Sequence, residues 1–212
     1  MSEPGRVYGG RSESERRAER RARLLGAGLE LFGTEGWGPT TIERLCTGAG
    51  VATRSFYEEF ASREALLLAV FELVMGGVVA EVTPRVTAQR DPEAQVRAAL
   101  SGYVAYLTED PRRARVVHHE VRVAGTLERE RHDMTVRFAD LIGQTGRLPR
   151  TERNRTLGIA LAGAVSEVLV EWVEQPEPRP DTGPIVEVLV ELYLGAIRGA
   201  VSSPDAAGPS AG

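Results

Sequence analysis

Residues 40–71 read Thr-Thr-Ile-Glu-Arg-Leu-Cys-Thr-Gly-Ala-Gly-Val-Ala-Thr-Arg-Ser-Phe-Tyr-Glu-Glu-Phe-Ala-Ser-Arg-Glu-Ala-Leu-Leu-Leu-Ala-Val-Phe. They spell a short capped helix, a glycine turn, a second short helix and a restart. Thr40 followed by Glu43 has the spacing of a capping box, which predicts a helix from Thr41. Ile42 and Leu45 give that helix an apolar face, and Gly48, Ala49 and Gly50 end it, glycine tolerating the positive φ of a helix-ending turn. A second helix is predicted over Thr53 to Phe60. Phe56 and Phe60 lie four apart on its inner stripe, and Thr53, Arg54, Ser55 and Tyr57 are left outside. This is the pattern of a helix-turn-helix, whose second helix reads base edges in the major groove. Thr40, Thr41, Arg44, Ala52, Tyr57 and Arg63 fall at helix starts and flanks, where backbone N–H, hydroxyl or guanidinium groups can meet phosphates.

The order and spacing of these residues resemble the DNA-binding domain of the TetR family of bacterial transcriptional regulators. Leu24 to Phe32 correspond to the family's first helix, Gly36-Trp37 to a small-aromatic pair, Thr40-Thr41-Ile42 to the start of helix two and Ala49-Gly50-Val51 to the turn. Phe56-Tyr57 and Phe60 match the recognition helix, and Ser62 to Leu66 the opening of helix four. Three positions depart from the pattern. Ala52 replaces a serine often found as the third helix's cap, Arg63 stands where lysine is common, and Glu58-Glu59 occupy places often neutral or basic.

Outside the motif every segment with a clear period is helical. A first helix is predicted from about Ser14 to Phe32, with Ala18, Ala22, Leu25, Leu29 and Phe32 on one face. Ser62 caps a fourth, whose stripe is expected to bend or break near Gly76, Gly77 and Pro84. Asp91-Pro92 and Asp110-Pro111 are cap-plus-proline starts. Thr126 is predicted to open a further helix, with Leu127, Met134, Phe138 and Leu141 on its stripe. Thr151 to Glu174 is the most apolar helix of the body, and Pro184 opens the last after a proline-rich loop. Residues 1–13 are expected to form a flexible N-terminal arm and 202–212 a disordered tail. The expected fold is all-α with about nine helices: an N-terminal three-helix DNA-binding domain over 14–75, then a helical bundle over 76–201.

Charge is distributed unevenly. All 26 basic residues are arginine, and the net charge is −4. Residues 1–23 nevertheless hold seven Arg against four acids, a local positive run that suits phosphate contact. A single cysteine, Cys46, excludes an internal disulfide and fits a reducing interior. No signal peptide is legible at the front. The apolar stretches Leu66 to Ala80 and Leu157 to Val173, broken by glutamates, read as buried amphipathic helices and not as membrane spans. A cytoplasmic protein is expected.

Chemistry is sparse. There is no nucleophile elbow, Walker loop or dinucleotide fingerprint, so catalysis is not expected. His118-His119-Glu120 with His132 is the only cluster that suggests a metal or acid/base site, and it lacks the spacing of one, because adjacent residues on a helix diverge by about 100°; no cofactor or metal is expected. A helical enzyme or adaptor with an incidental helix-turn-helix is the other function class the pattern admits. The family resemblance implies a homodimer bound to double-stranded operator DNA and an effector cavity in the body for a still unidentified small molecule. Tyr103, Tyr106, His118, Phe138 and Trp172 are candidate cavity walls, for an apolar or amphipathic ligand. Leu161, Val165, Leu169, Val188 and Leu192, on the last two long helices, are candidate dimer contacts.

Overall fold

Ser12 and Glu15 begin the first helix by capping each other: the Ser12 hydroxyl accepts from the Glu15 N–H at 3.2 Å, and the Glu15 carboxylate accepts from the Ser12 N–H at 2.6 Å. The computed structural model describes residues 12–125, 129–130, 132–133, 135–136, 140 and 149–201. Its helices are α1 (Glu13–Thr34), α2 (Ile42–Ala49), α3 (Thr53–Glu59), α4 (Arg63–Thr87), α5 (Pro92–Glu109), α6 (Pro111–Arg115), a π-helical segment (Val116–Glu120), α7 (Val121–Ala124), α8 (Glu152–Glu174) and α9 (Gly183–Val201). No strand occurs among the described residues. The stretch around Thr126, Phe138 and Leu141, and both chain ends, lie outside them.

Helix starts follow the expected caps with one shift. Asp91 and Asp110 cap α5 and α6 with proline in the first turn, and Ser62 caps α4. The cap of α2, however, is Thr41, whose hydroxyl accepts from the Arg44 N–H at 3.3 Å. Thr40 is fully buried and donates its hydroxyl to the Gly36 carbonyl at 2.7 Å. Both threonines suit a cap, and packing decides between them. Glu43 is therefore one residue too early to close a box. Ala52 leaves α3 with no side-chain cap. Gly50 ends α2 in the left-handed region at φ 62°, where a side chain is strained.

The inner face of α1 is Leu24, Ala27, Gly28 and Phe32, whereas Ala18 and Ala22 are exposed. α4 runs unbroken through all three expected breakers. Pro84 lies close enough to the C-terminus to disturb only the last turn, and Gly77 has a packing role: a side chain there would overlap the Tyr106 hydroxyl of α5. One continuous core joins the two halves, from Leu24 and Phe56 through Leu66 and Val70 to Val104, Leu169 and Leu189. α4 and α8 are long and apolar enough to cross a membrane by length and composition, yet Leu67, Val70 and Val74 of α4 and Leu161, Val165 and Leu169 of α8 are packed inside the protein.

That packing corrects the expected dimer contacts. Leu161, Val165 and Leu169 have no more than 3% of their surface exposed and belong to the protomer's own core. Val188 and Leu192 of α9 are 63% and 45% exposed. The stripe at spacing four on α8 turns inward onto α6, the π segment and α9, so its apolar content is already used.

Candidate DNA-binding surface and body cavity

α3 is held in place by its buried face. Phe56 is fully buried and meets Phe60 at 6.0 Å between ring centroids, with Tyr57 edge-on at 5.5 Å. Thr53, Arg54 and Tyr57 then point outward, Tyr57 at 56% exposure, while Ser55 is half-buried. Arg54 is almost wholly in solvent and pairs loosely with Glu58 at 3.4 Å, one turn on. An exposed pair of this kind is worth about 0.3–0.5 kcal/mol, which a stronger acceptor readily displaces.

The arginine run of α1 makes contacts within the protein that its charge did not announce. Arg17 and Arg20 bind the Glu59 carboxylate, Arg21 donates to the Glu59 carbonyl and lies over Phe60, and Arg23 donates to the Gly50 carbonyl. Four arginines thus brace α3 and its turn from behind. Glu58 and Glu59, unusual beside DNA, are explained by the same contacts, since Arg20 also reaches Glu58.

Arg63 and Arg44 are also engaged inside the protein. Arg63 stacks on Trp37 and donates to the carbonyls of Trp37 and Thr40. Arg44 pairs with Glu35 and donates to the Pro39 carbonyl at 3.3 Å. An open cleft of about 400 Å3 remains between Tyr57, Thr41 and the starts of α2 and α4. Its rim already carries two carboxylates. Glu43 is held low by its own N–H and the Thr41 hydroxyl, Glu64 by the Ser62 hydroxyl and its own N–H.

In the body, a cavity of about 430 Å3 is walled by Phe71, Tyr103, Val117, His118 and Ser166, with Arg122 paired to Glu167 at 2.9 Å. His118 is buried; its Nε2 meets the Tyr103 hydroxyl at 3.1 Å and its Nδ1 the Ser166 hydroxyl at 3.0 Å. Burial, then repulsion from Arg122, pushes its pKa down to about 4, so the ring is neutral near pH 7. Of the other expected wall residues, Tyr106 packs on Gly77 and under Arg113, and Trp172 donates its indole N–H to the Pro180 carbonyl, neither of them lining this cavity. Phe138 lies outside the described residues. Among those described, no three metal-ligating side chains gather.

Sequence reasoning placed Glu120 only in a weak metal or acid/base cluster with His118 and His119, and gave it no part in joining the two halves. Two residues after His118, on the π-helical segment, it is 2% exposed and accepts from the Trp37 N–H at 2.6 Å, Arg115 Nε at 2.7 Å and His119 Nδ1 at 3.0 Å. One wider turn thereby presents a histidine to the cavity and a glutamate to the DNA-facing half. Close by, Gly33 abuts Arg112 so tightly that a side chain there would overlap it.

Residues 24–70 match the family described as bacterial regulatory proteins, tetR family. The chain is 25% identical over 199 residues to the HTH-type transcriptional activator FasR of Mycolicibacterium smegmatis, covering 91% of this chain and 90% of that one. Its fold matches the fatty acid degradation regulator FadR from Bacillus halodurans with a TM-score of 0.72 at 20% identity, over 84% of this chain and 96% of that one. It also matches AibR, solved in complex with isovaleryl coenzyme A and operator DNA, with a TM-score of 0.63 at 16% identity over 82% and 97% of the two chains.

Proposed function

The chain belongs to the TetR family of bacterial regulatory proteins, and on that premise we propose that it is a homodimeric, cytoplasmic regulator bound to a palindromic operator and released from it by a small apolar or amphipathic ligand. The observation that carries the DNA half is α3: Phe56 anchors it, and Thr53, Arg54 and Tyr57 stand free of the core beside an open cleft at the starts of two helices. Arg54 and Thr53, with Ser55 at the edge, take the base edges. Tyr57, Thr41 and the first N–H groups of α2 and α4, with the Ala52 N–H before α3, take phosphates. Arg44, Arg63 and the arginines of α1 act behind the surface, as braces.

DNA binding is assigned to residues 14–75, with 1–13 as an arm, and ligand binding and dimerisation to 76–201, with 202–212 as a tail. Ligand and DNA sites are linked through the π-helical segment, where a displacement of His118 moves Glu120 and, through it, Trp37. Occupancy represses where the operator overlaps the promoter. FasR is named as an activator, so the sign of the effect is read with a promoter fusion. The test is titration of the full chain against its own upstream DNA at several salt concentrations. A regulator neutralising several phosphates loses affinity steeply with salt; a flat or absent response excludes the proposal.

A further inference from the structure

Two cavities meet inside the body. The polar one, about 430 Å3, has His118 and Ser166 in its wall. A second chamber, about 270 Å3, lies between α4, α5 and α9 and is walled mainly by aliphatic groups such as Val78, Val82, Val96, Leu100 and Ile197. Met75 and Tyr103 line both. The partition is therefore an unbranched, half-buried thioether, which changes shape easily, beside a phenol already bonded to His118.

Tyr193 supplies an independent observation. It lines the aliphatic chamber, is 3% exposed, and its hydroxyl has no hydrogen-bond partner. Buried hydroxyls are ordinarily satisfied, so an orphan on a cavity wall calls for an incoming acceptor. Tyr103, which lines both cavities, shares the aliphatic chamber with Tyr193, and burial, with a further contribution from Tyr103, raises the Tyr193 pKa.

We propose that the two cavities form one bent site for an amphipathic small molecule, with a slender apolar chain in the chamber between α4, α5 and α9 and a carbonyl-type oxygen at the junction, accepting from Tyr193. This rests on the reading of the body as an effector site and goes further by naming the ligand's chemistry. The chamber wall excludes polar substituents along the chain, because its few hydroxyls cannot replace the water such groups would lose. The remainder of the ligand's polar end stays with His118, Ser166 and Arg122.

The experiment titrates the full chain with methyl esters of straight-chain acids from four to twelve carbons, by calorimetry. Affinity should rise about fourfold per methylene until the chamber is full. Ala99 lines the chamber, so Ala99→Phe should bring the plateau several carbons earlier and leave methyl butanoate unchanged. Tyr193→Phe should weaken the esters about tenfold and leave octane, which has no oxygen, unaffected. Thermal melts confirm that both variants fold. Esters that bind with no dependence on length, or with a dependence that Ala99→Phe does not alter, overturn this site while leaving an effector cavity at His118 standing. No binding at any length, with no effect of the esters on DNA affinity, overturns both.

Discussion

The Arg63 guanidinium lies 3.6 Å from the centroid of the Trp37 ring, and its Nη1 donates to the Trp37 carbonyl at 3.1 Å and the Thr40 carbonyl at 2.6 Å. A residue placed for phosphate contact by its position in the sequence instead clamps the connection between α1 and α2. Lysine cannot match it, since an ammonium lacks the planar fork that stacks and donates at once. Arg63→Lys should destabilise the protein by about 1–3 kcal/mol in urea titrations. In Arg63→Gln, which removes the charge, the slope of operator affinity against salt should stay at the wild-type value. A slope smaller by about one would mean that Arg63 contacts a phosphate after all.

Arg54→Ala should cost about 1–3 kcal/mol on the operator and relax preference at one base position, whereas Tyr57→Phe should weaken all duplexes alike. Neither residue supports the core, so melting temperatures should hold. Gel-shift titrations on a set of single-base operator variants check this. Wild-type affinity and preference in both mutants would remove α3 from the DNA.

Glu120 gives a prediction about coupling. Glu120→Gln keeps the shape but replaces one acceptor oxygen by a donor, and three donors already point at the carboxylate. The variant should bind operator and ligand within a few-fold of wild type, yet ligand should release it from DNA less completely. Fluorescence anisotropy of labelled operator with and without ligand measures the ratio. An unchanged ratio places the route elsewhere.

How much of this was legible depends on the range of the interaction. Asp91-Pro92 and Asp110-Pro111 announced helix starts because caps are local chemistry. The choice of Thr41 over Thr40 was not legible, since it turns on a hydroxyl reaching back to Gly36 and on burial. The π-helical turn left no sequence signal, and with it went the pairing of His118 and Glu120 on opposite sides of one segment. Periodicity identified Leu161, Val165 and Leu169 as an apolar stripe without saying which neighbour covers it. Arg63 and Trp37 are 26 residues apart, beyond any local rule.

His118 predicts an acid sensitivity. The unfolded chain takes up a proton near its ordinary value of 6.5, while the folded ring, desolvated and facing Arg122, resists until about 4. Its folded pKa is depressed, so the stability it confers is complete above 6.5 and is lost as pH falls toward 4, on the order of 3 kcal/mol in total. Below 4 this contribution no longer changes. Urea titrations from pH 7 to 4 should show a shallower decline for His118→Asn than for wild type. Parallel declines would mean that the imidazole is not held neutral by its surroundings.

The dimer prediction now falls on α9 alone among the named contacts. Val188 and Leu192 stand one turn apart and remain exposed on the protomer, with Gly195 and Gly199 continuing the same exposed side of the helix. A two-fold packing over this stripe would remove both side chains from water and let the backbones approach at the glycines. Such an axis also suits the proposed palindromic operator, whose half-sites place two recognition helices in successive major grooves about 34–36 Å apart. A charge at Val165 cannot probe the contact, because that side chain is 1% exposed and the charge would unfold the protomer. Val188→Arg places its charge in solvent on the monomer and inside the contact on the dimer. It should melt close to wild type, sediment as a monomer, and bind a full operator at least tenfold more weakly with α3 untouched. If the variant still sediments as a dimer at micromolar concentration, the two-fold lies on another face.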